Sequence, residues 1–234
     1  MTKRSDIPSR LRQVPLLSSL SDGSLDALAK RVDIVRPRRG ELVVQHLDAS
    51  DDFYLVLEGR VMAILISGRG REVALGEMGP GAYFGEIAAI GGGERSASVF
   101  ARSAAMLARI PGRTLRALLQ DEPELARLLL ADMVERVRDL TQRSFELTAL
   151  KLADRLRLYL VRKGLEHGVL ESDGVLKPAP THAEMAAHVG ANREAVSREL
   201  SLMVQQELIE TRRGSVTFLR PDVLLETTNI LKGE

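Results

Sequence analysis

The character of the sequence changes at Pro111, and this change limits the folds that the chain can adopt. Between residues 34 and 110, short apolar runs alternate with turn residues such as Arg39-Gly40 and Glu58-Gly59, which is typical of antiparallel strands joined by hairpins. The predicted strands cover residues 41–44, 53–57, 61–66, 72–75, 96–101 and 106–110. No full-length helix alternates with them, so the pattern favours a β-roll or barrel over a parallel nucleotide-binding sheet.

Beyond Pro111 the pattern is helical, and residues 121–150 predict one long helix. A capping Asp121, a first-turn Pro123 and a nearby Glu124 indicate its start. Positions spaced three or four residues apart form a seam that consists of Leu129, Met133, Val137, Leu140, Ser144 and Leu147. This seam predicts pairing with a second copy of the helix. The alternative is a helix packed on its own domain.

Composition excludes several classes of protein. The chain has no cysteine, which rules out disulfides, cysteine-ligated iron–sulfur clusters and thiol catalysis. No apolar run is long enough to span a bilayer and the first 20 residues show no signal-peptide pattern, so we expect a cytoplasmic protein without a membrane partner. The net charge of +1 does not decide whether nucleic acid is bound, because DNA is contacted by one face only.

The C-terminal part of the sequence predicts a helix-turn-helix. Thr181 and Glu184 form a capping box at the start of one helix, and Gly190 ends that helix. Asn192 then caps a second helix over residues 193–205. The short separation between these helices is the one that a DNA-binding helix-turn-helix requires.

One arc of the second helix carries polar side chains, at about 100° per residue. The members of this arc are Arg193, Glu194, Ser197 and Arg198. Arginine can donate two hydrogen bonds to guanine, and glutamate can accept one from the amino group of cytosine, so the arc is suited to the major groove of double-stranded DNA. A helical hairpin with a solvated charged face is the alternative.

Further DNA contacts are predicted at helix starts and in a wing. Thr181 and Asn192 stand where helix N-termini attract phosphate. After the second helix, two predicted strands flank the basic turn at residues 211–214, and we expect Arg212 and Arg213 to contact the DNA backbone.

The densest chemical signal lies in the predicted β-roll, in Phe84-Gly85-Glu86-Ile87-Ala88-Ala89 and Glu94-Arg95-Ser96-Ala97. A cyclic phosphodiester needs a close backbone approach, one cation and a polar hook. Gly85 permits the approach, and the start of a short helix at residues 86–90 favours an anion. Arg95 would pair with the phosphate and Ser96 would hydrogen-bond it, while Glu86 would accept from the ribose hydroxyl. Ile87, Ala88 and Ala97 complete the candidate lining.

This segment resembles the phosphate-binding cassette of the Crp–Fnr family of transcription regulators. The resemblance covers nearly the whole chain, from Pro15-Leu16-Leu17 to the Arg193-Glu194-Ala195-Val196-Ser197-Arg198 motif and the wing. The expected α+β organisation is a cyclic-nucleotide-binding β-roll over residues 1–120, a dimerisation helix and hinge over 121–150, and a winged helix-turn-helix over 151–234.

The resemblance also implies the partners. It implies a homodimer that binds inverted half-sites resembling TGTGA in double-stranded DNA, a cyclic nucleotide as effector, with cyclic AMP favoured, and RNA polymerase as a further partner. Arg136 matches a family arginine near the cassette glutamate, which predicts an Arg136–Glu86 pair.

Two positions on the long helix bear on the effector. Leu140 and Thr141 match the family's pair of hydroxyl residues that reach the base, and Thr141 alone keeps the hydroxyl. Cyclic GMP, another small effector or no ligand therefore stay as alternatives, and a much larger cyclic dinucleotide is less expected. An ordinary exposed helical threonine is the alternative reading of Thr141.

Catalysis is not expected. The four histidines, His46, His167, His182 and His188, show neither a triad nor metal-binding spacing, and no phosphate-transfer loop is present. We therefore expect that the protein is not an enzyme and that it binds no metal. His46 is interpreted as structural rather than as a haem ligand.

Overall fold

A computed structural model describes residues 6–66, 68 and 72–226. The chain divides into two compact units, Met1–Arg136 and Val137–Glu234, which we call the first and second unit. The division falls within one long helix, which contributes its first half to the first unit and its second half to the other.

The first unit is built on two antiparallel sheets. The described strands are β1 (Asp33–Val35), β2 (Leu42–Val44), β3 (Phe53–Glu58), β4 (Val61–Ile66), β5 (Glu72–Met78), β6 (Tyr83–Phe84), β7 (Ser98–Ala101) and β8 (Met106–Ile110). One sheet has the order β1-β8-β3-β6 and the other β2-β7-β4-β5. The predicted β-roll is confirmed, although β1 and β6 were not among the predicted strands. Strand β7 begins at Ser98, so Arg95 and Ser96 precede it.

Helices flank these sheets. They are α1 (Ile7–Arg12), a 3₁₀ turn (Pro15–Leu17), α2 (Asp22–Ala29), α3 (Glu86–Gly91), α4 (Gly112–Asp121) and α5 (Pro123–Ala149). The predicted capping role of Asp121 is wrong, because Asp121 is the last residue of α4. The backbone breaks at Glu122, and Pro123, which has no amide proton to donate, begins α5.

The first half of α5 packs on its own unit. Leu129 is buried and Met133 is packed against the same core, so the predicted seam is wrong at these two positions. A helix that packs on a sheet repeats its apolar residues at the same spacing as one that pairs with a copy, and the sequence therefore does not separate the two cases. Val137, Leu140 and Leu147 of the predicted seam are exposed, and Leu130, Val134, Val137 and Leu140 form an exposed apolar stripe on α5.

The second unit is a winged helix-turn-helix, as predicted. After the second half of α5 it contains α6 (Leu152–Glu166), β9 (Gly174–Leu176), α7 (His182–Val189), α8 (Arg193–Gln205), β10 (Ile209–Arg212), β11 (Ser215–Phe218) and α9 (Pro221–Glu226). The strands form an antiparallel sheet in the order β10-β11-β9. Val196, Leu200 and Met203 of α8 are buried in the core of the unit, which leaves the polar arc of the helix on the surface.

Candidate functional sites

A cavity of about 200 Å³ lies in the first unit, at the cassette. Its lining includes eight of the nine predicted ligand residues, namely Gly85, Glu86, Ile87, Ala88, Arg95, Ser96, Ala97 and Arg136. The ninth, Thr141, lies on the second half of α5, where its hydroxyl donates to the carbonyl of Val137. The structure thus brings together the cassette residues that stand about ten positions apart in the sequence.

Arg95 is a buried cation without a carboxylate partner among the described residues. Its exposed fraction is 3%. Nε donates to the Ser50 hydroxyl at 2.9 Å and Nη1 donates to the Gly85 carbonyl at 3.4 Å, while the buried Nη2 has no hydrogen-bond partner in the described part of the chain. Because a buried charge is costly unless it is compensated, this arrangement fits an anion that supplies the missing interaction.

Gly85 allows the close packing around this arginine. Its φ is +86°, and a Cβ placed on it would lie 2.7 Å from Nη1 of Arg95 and 2.7 Å from the Asp52 carbonyl oxygen. Any other residue would therefore displace the arginine or strain the backbone. The glycine immediately precedes α3, so the cassette backbone turns sharply at the wall of the cavity.

Glu86 is held by a network that reaches α5. Its carboxylate accepts from Arg136 at 3.1 Å, so the predicted pair is present. Arg136 also pairs with Asp132 and stacks over the Tyr83 ring at 4.4 Å. Tyr83 donates to Asp132, and burial together with this hydrogen bond raises the pKa of the tyrosine. The network fixes a buried carboxylate at the cavity, where it can accept a hydrogen bond from a ligand hydroxyl.

The cavity also has an apolar lining from the strands, which sequence reasoning missed. It is formed by Val44, Ala63, Leu75, Met78 and Val99, from four strands. Ser50, the hydrogen-bond acceptor of Arg95, was also missed. Ser50 stands 45 residues before its partner, and no local pattern marks such a contact.

The start signals of the helix-turn-helix are present as predicted. Thr181 and Glu184 form the capping box of α7, and the hydroxyl of Thr181 is used in it. Gly190 ends α7 in the left-handed conformation with a φ of +66°. The Asn192 side chain accepts from the Ala195 amide at 2.7 Å and so caps α8.

The polar arc of α8 is open to ligands. Asn192, Arg193, Glu194 and Ser197 line a depression at the start of the helix, and Arg198 is exposed beside it. Among the described residues neither arginine forms an ion pair, so both guanidinium groups are free for DNA. The Ser197 hydroxyl donates to the Arg193 carbonyl and is also 2.7 Å from Nδ1 of His182, a contact that was not predicted.

The two wing arginines differ. Arg212 lies at the end of β10 and pairs with Glu210 at 3.0 Å. Arg213 lies in the turn beside Gly214 and makes no ion pair within the described ranges. The described residues contain no cluster of potential metal ligands and no helix able to cross a membrane.

Two protein-family models match the chain, and their matches overlap at residues 113–122. The family model of the cyclic nucleotide-binding domain matches residues 34–122, and that of the Crp-like helix-turn-helix domain matches residues 113–227. The first match contains the cassette and every lining residue of the cavity except Arg136, and the second contains α5 to α9. Together they extend over most of the chain.

Individual relatives agree with this assignment. The chain is 28% identical to the cAMP-activated global transcriptional regulator CRP of Haemophilus influenzae, over 77% of this chain and 80% of the relative. It is 26% identical to the CRP-like cAMP-activated global transcriptional regulator of Mycobacterium tuberculosis, over 88% and 92%. In fold it is similar to the c-di-GMP responsive global regulator CLP of Xanthomonas campestris, with a TM-score of 0.71, 23% identity and coverage of 85% and 99%.

Proposed function

The chain belongs to the Crp–Fnr family of DNA-binding transcription regulators, which are not enzymes, and from this membership we propose a cyclic nucleotide, cyclic AMP, as the effector of a dimeric, sequence-specific regulator. The single observation that carries the proposal is Arg95, a buried guanidinium in the cassette cavity with one nitrogen that has no hydrogen-bond partner among the described residues. A cyclic phosphodiester would supply the negative charge that this group lacks. Gly85, Ser96 and Glu86 line the same cavity and would contact the phosphate and ribose.

The size and walls of the cavity favour a mononucleotide with a weakly polar base. A space of about 200 Å³ is small for a cyclic dinucleotide. The wall formed by Val44, Ala63, Leu75 and Met78 offers no polar side chain to a base. Guanine has an extra carbonyl and amino group to satisfy, so this wall disfavours cyclic GMP relative to cyclic AMP.

Cyclic GMP or another small effector remains the second candidate because of Leu140. This residue replaces one of the two hydroxyls that family resemblance places near the base. The effectors named for similar proteins also differ, since a fold relative is described as c-di-GMP responsive. The base therefore has to be identified by binding measurements.

A second copy of the chain is the proposed occupant of the exposed stripe on α5. Leu130, Val134, Val137 and Leu140 repeat at intervals of three or four residues on one helix face. Two such stripes in parallel would cover each other as in a coiled coil. The stripe shares Val137 and Leu140 with the predicted seam, while Leu130 and Val134 take the place of Leu129 and Met133, which pack in the core.

In the proposed dimer, both copies of α8 read one operator. Arg193, Glu194 and Arg198 would contact base edges in successive major grooves, at inverted half-sites resembling TGTGA. Thr181, Asn192, Arg212 and Arg213 would contact the backbone. We place the regulator in the cytoplasm, with RNA polymerase as a further partner.

Control by the effector requires that ligand and DNA favour the same conformation. A ligand that binds one arrangement of the dimer more tightly shifts the population toward it. By linkage, operator DNA would then tighten effector binding by the same factor. Equal effector affinity with and without operator would contradict the coupling while leaving both sites intact.

The test is calorimetric titration of the purified protein with cyclic AMP and with cyclic GMP. Wild type is compared with Arg95→Leu and with the matched control Arg60→Leu, which removes an exposed arginine outside the cavity. We expect saturable binding of cyclic AMP to wild type and to the control, and a loss of about 100-fold in Arg95→Leu. DNA binding at fixed salt is then repeated with and without the nucleotide, and light scattering gives the oligomeric state.

Either result is informative. The proposal is supported if cyclic AMP tightens DNA binding by wild type and by Arg60→Leu but not by Arg95→Leu. If neither nucleotide binds the wild type while DNA is still bound, the cassette proposal is wrong and the DNA-binding role stands.

A further inference from the structure

His182 and Ser197 form a hydrogen bond that joins the two helices of the helix-turn-helix. His182 is the first residue of α7, and its Nδ1 lies 2.7 Å from the Ser197 Oγ on α8. Ser197 lies one turn after Arg193 and lines the depression at the start of α8. The pair therefore connects α7 directly to the polar arc of α8.

The hydroxyl of Ser197 has one proton and two neighbours. Its Oγ is 2.9 Å from the Arg193 carbonyl oxygen, which can only accept. If Ser197 gave its proton to His182 instead, two oxygens would face each other at this distance with no proton between them. Both contacts are satisfied when Ser197 donates to the carbonyl and the Nδ1–H of His182 donates to Ser197.

We propose that His182 is a positioning residue for base recognition, which fixes Ser197 as a hydrogen-bond acceptor. With its proton on the Arg193 carbonyl and one lone pair taken by His182, the Ser197 oxygen has one lone pair left. In the major groove this acceptor matches the amino group of cytosine or adenine, and not the acceptor edges of guanine or thymine. The inference rests on the DNA-reading role proposed for α8.

Without His182, Ser197 would no longer be fixed as a hydrogen-bond acceptor. Its side chain would be free to change rotamer and to present a donor or an acceptor, so its preference for amino groups would fall. A different role for His182, as a contact to phosphate, would act on all sequences alike and would appear in the salt dependence of binding. These two roles predict different measurements.

The first test uses the free protein. Nitrogen NMR of the histidine rings at neutral pH, with His182→Asn to assign the signal, is expected to show His182 protonated on Nδ1, with a hydrogen-bond shift that disappears in Ser197→Ala. A neutral ring protonated on Nε2 would overturn the proposal. This measurement contains neither DNA nor effector, so its outcome is independent of the proposed control by cyclic AMP.

The second test measures base discrimination. Wild type selects duplexes from a random-sequence library, and each base pair of the selected half-site is then changed in turn. We expect His182→Ala and Ser197→Ala to reduce discrimination at the same single base pair by about fivefold, the contribution of one hydrogen bond. The double variant should lose no more than either single variant, because the two residues act on one contact.

Two substitutions at position 182 provide the matched controls. Asparagine carries its amide nitrogen at the position of Nδ1, and His182→Asn should restore discrimination. Glutamine places its nitrogen one bond further out, nearer to Nε2, and His182→Gln should not. Equal losses for all sequences, a reduced salt slope with unchanged discrimination, or failure of a folded His182→Asn to restore it would each overturn the proposal.

Discussion

Both units bury charged side chains, and Arg95 differs from the buried carboxylates Glu86 and Glu146 in having no partner of opposite charge among the described residues. Arg95 in the first unit and Glu146 in the second are 3% and 7% exposed. Glu146 accepts hydrogen bonds from Arg162 and from Gln142. Burial alone would raise its pKa, but these hydrogen bonds outweigh burial and lower it. Arg95 donates to the Ser50 hydroxyl and, at 3.4 Å, to the Gly85 carbonyl, and its buried Nη2 has no partner in the part of the chain that the structure describes.

The difference separates a structural charge from one suited to a ligand. Arg155 and Arg157 also have a buried Nε without a partner among the described residues, but both side chains belong to half-buried residues and donate hydrogen bonds through their terminal nitrogens. Arg95 alone of these three is buried as a whole residue. A charge that the protein itself compensates stabilises the fold, whereas an uncompensated one gains most when a counter-charge binds.

The largest expected effect is stabilisation of the first unit by the effector. At 100 times its Kd, cyclic AMP should add about 2.7 kcal/mol to the stability of wild type. Arg95→Leu, with its affinity lowered about 100-fold, should gain only about 0.4 kcal/mol at that nucleotide concentration. Hydrogen exchange followed in each unit separately measures this effect, and protection that increases equally in the mutant would show that the arginine does not hold the ligand.

Removal of the Glu146 carboxylate should change the unfolding free energy by nearly as much, and only in the second unit. Glu146→Leu leaves Arg162 without its carboxylate, and because Arg162 is 38% exposed we expect a loss of about 2 kcal/mol rather than the full cost of a broken buried pair. Arg95→Leu, without ligand, should change the unfolding free energy by less than about 1 kcal/mol. Denaturant unfolding compares the two variants, and equal losses would remove the distinction between these charges.

Acid should weaken the second unit before the first. The pKa of Glu146 lies below its ordinary 4.5, and burial followed by the charges of Arg143, Arg162 and Lys163 lowers the pKa of His188 below 6.5. In both cases the unfolded chain binds more protons, so stability is lost as pH falls below 6.5 for His188 and below 4.5 for Glu146.

The matched control for this acid effect is His188→Gln, which should flatten the upper part of the pH dependence. Hydrogen exchange at a series of pH values distinguishes the units. If the first unit loses its protection from exchange at a higher pH than the second, the prediction that acid weakens the second unit first is wrong.

Among its described residues the wing also contains one paired and one unpaired arginine, both at the surface, and the expected effect of their removal on DNA binding is the smallest. Arg213 has no ion pair within the described chain, whereas Arg212 is paired with Glu210. Arg213→Ala should lower the slope of log affinity against log salt by about 0.9, the value for one phosphate contact. Arg212→Ala should lower it less, because part of its charge is already compensated. Titrations of one duplex at several salt concentrations test this order.

The signals that were read correctly are local ones. The capping box at Thr181 and Glu184 and the cap at Asn192 involve groups three residues apart, and the structure contains both. Most strands were found for the same reason, since alternation and turn residues act within a few positions. The Arg136–Glu86 pair is long-range, and it was predicted only because a family resemblance supplied it.

The wrong and missing predictions concern the packing and hydrogen-bond partners of individual side chains. The spacing of Leu129 and Met133 fits a coiled coil or an intramolecular core equally well, and the structure places them in the core. Ser50 and His182 carry no local sign of their contacts with Arg95 and Ser197.

The sequence by itself therefore determined most of the strands, the two ends of α7, the start of α8, the cassette and the polar arc of α8, because each depends on neighbours along the chain. Only the tertiary structure decided which face of α5 is exposed and which buried charges have partners. Those outcomes depend on side chains that folding brings together from distant positions, and on the burial that makes an uncompensated charge costly.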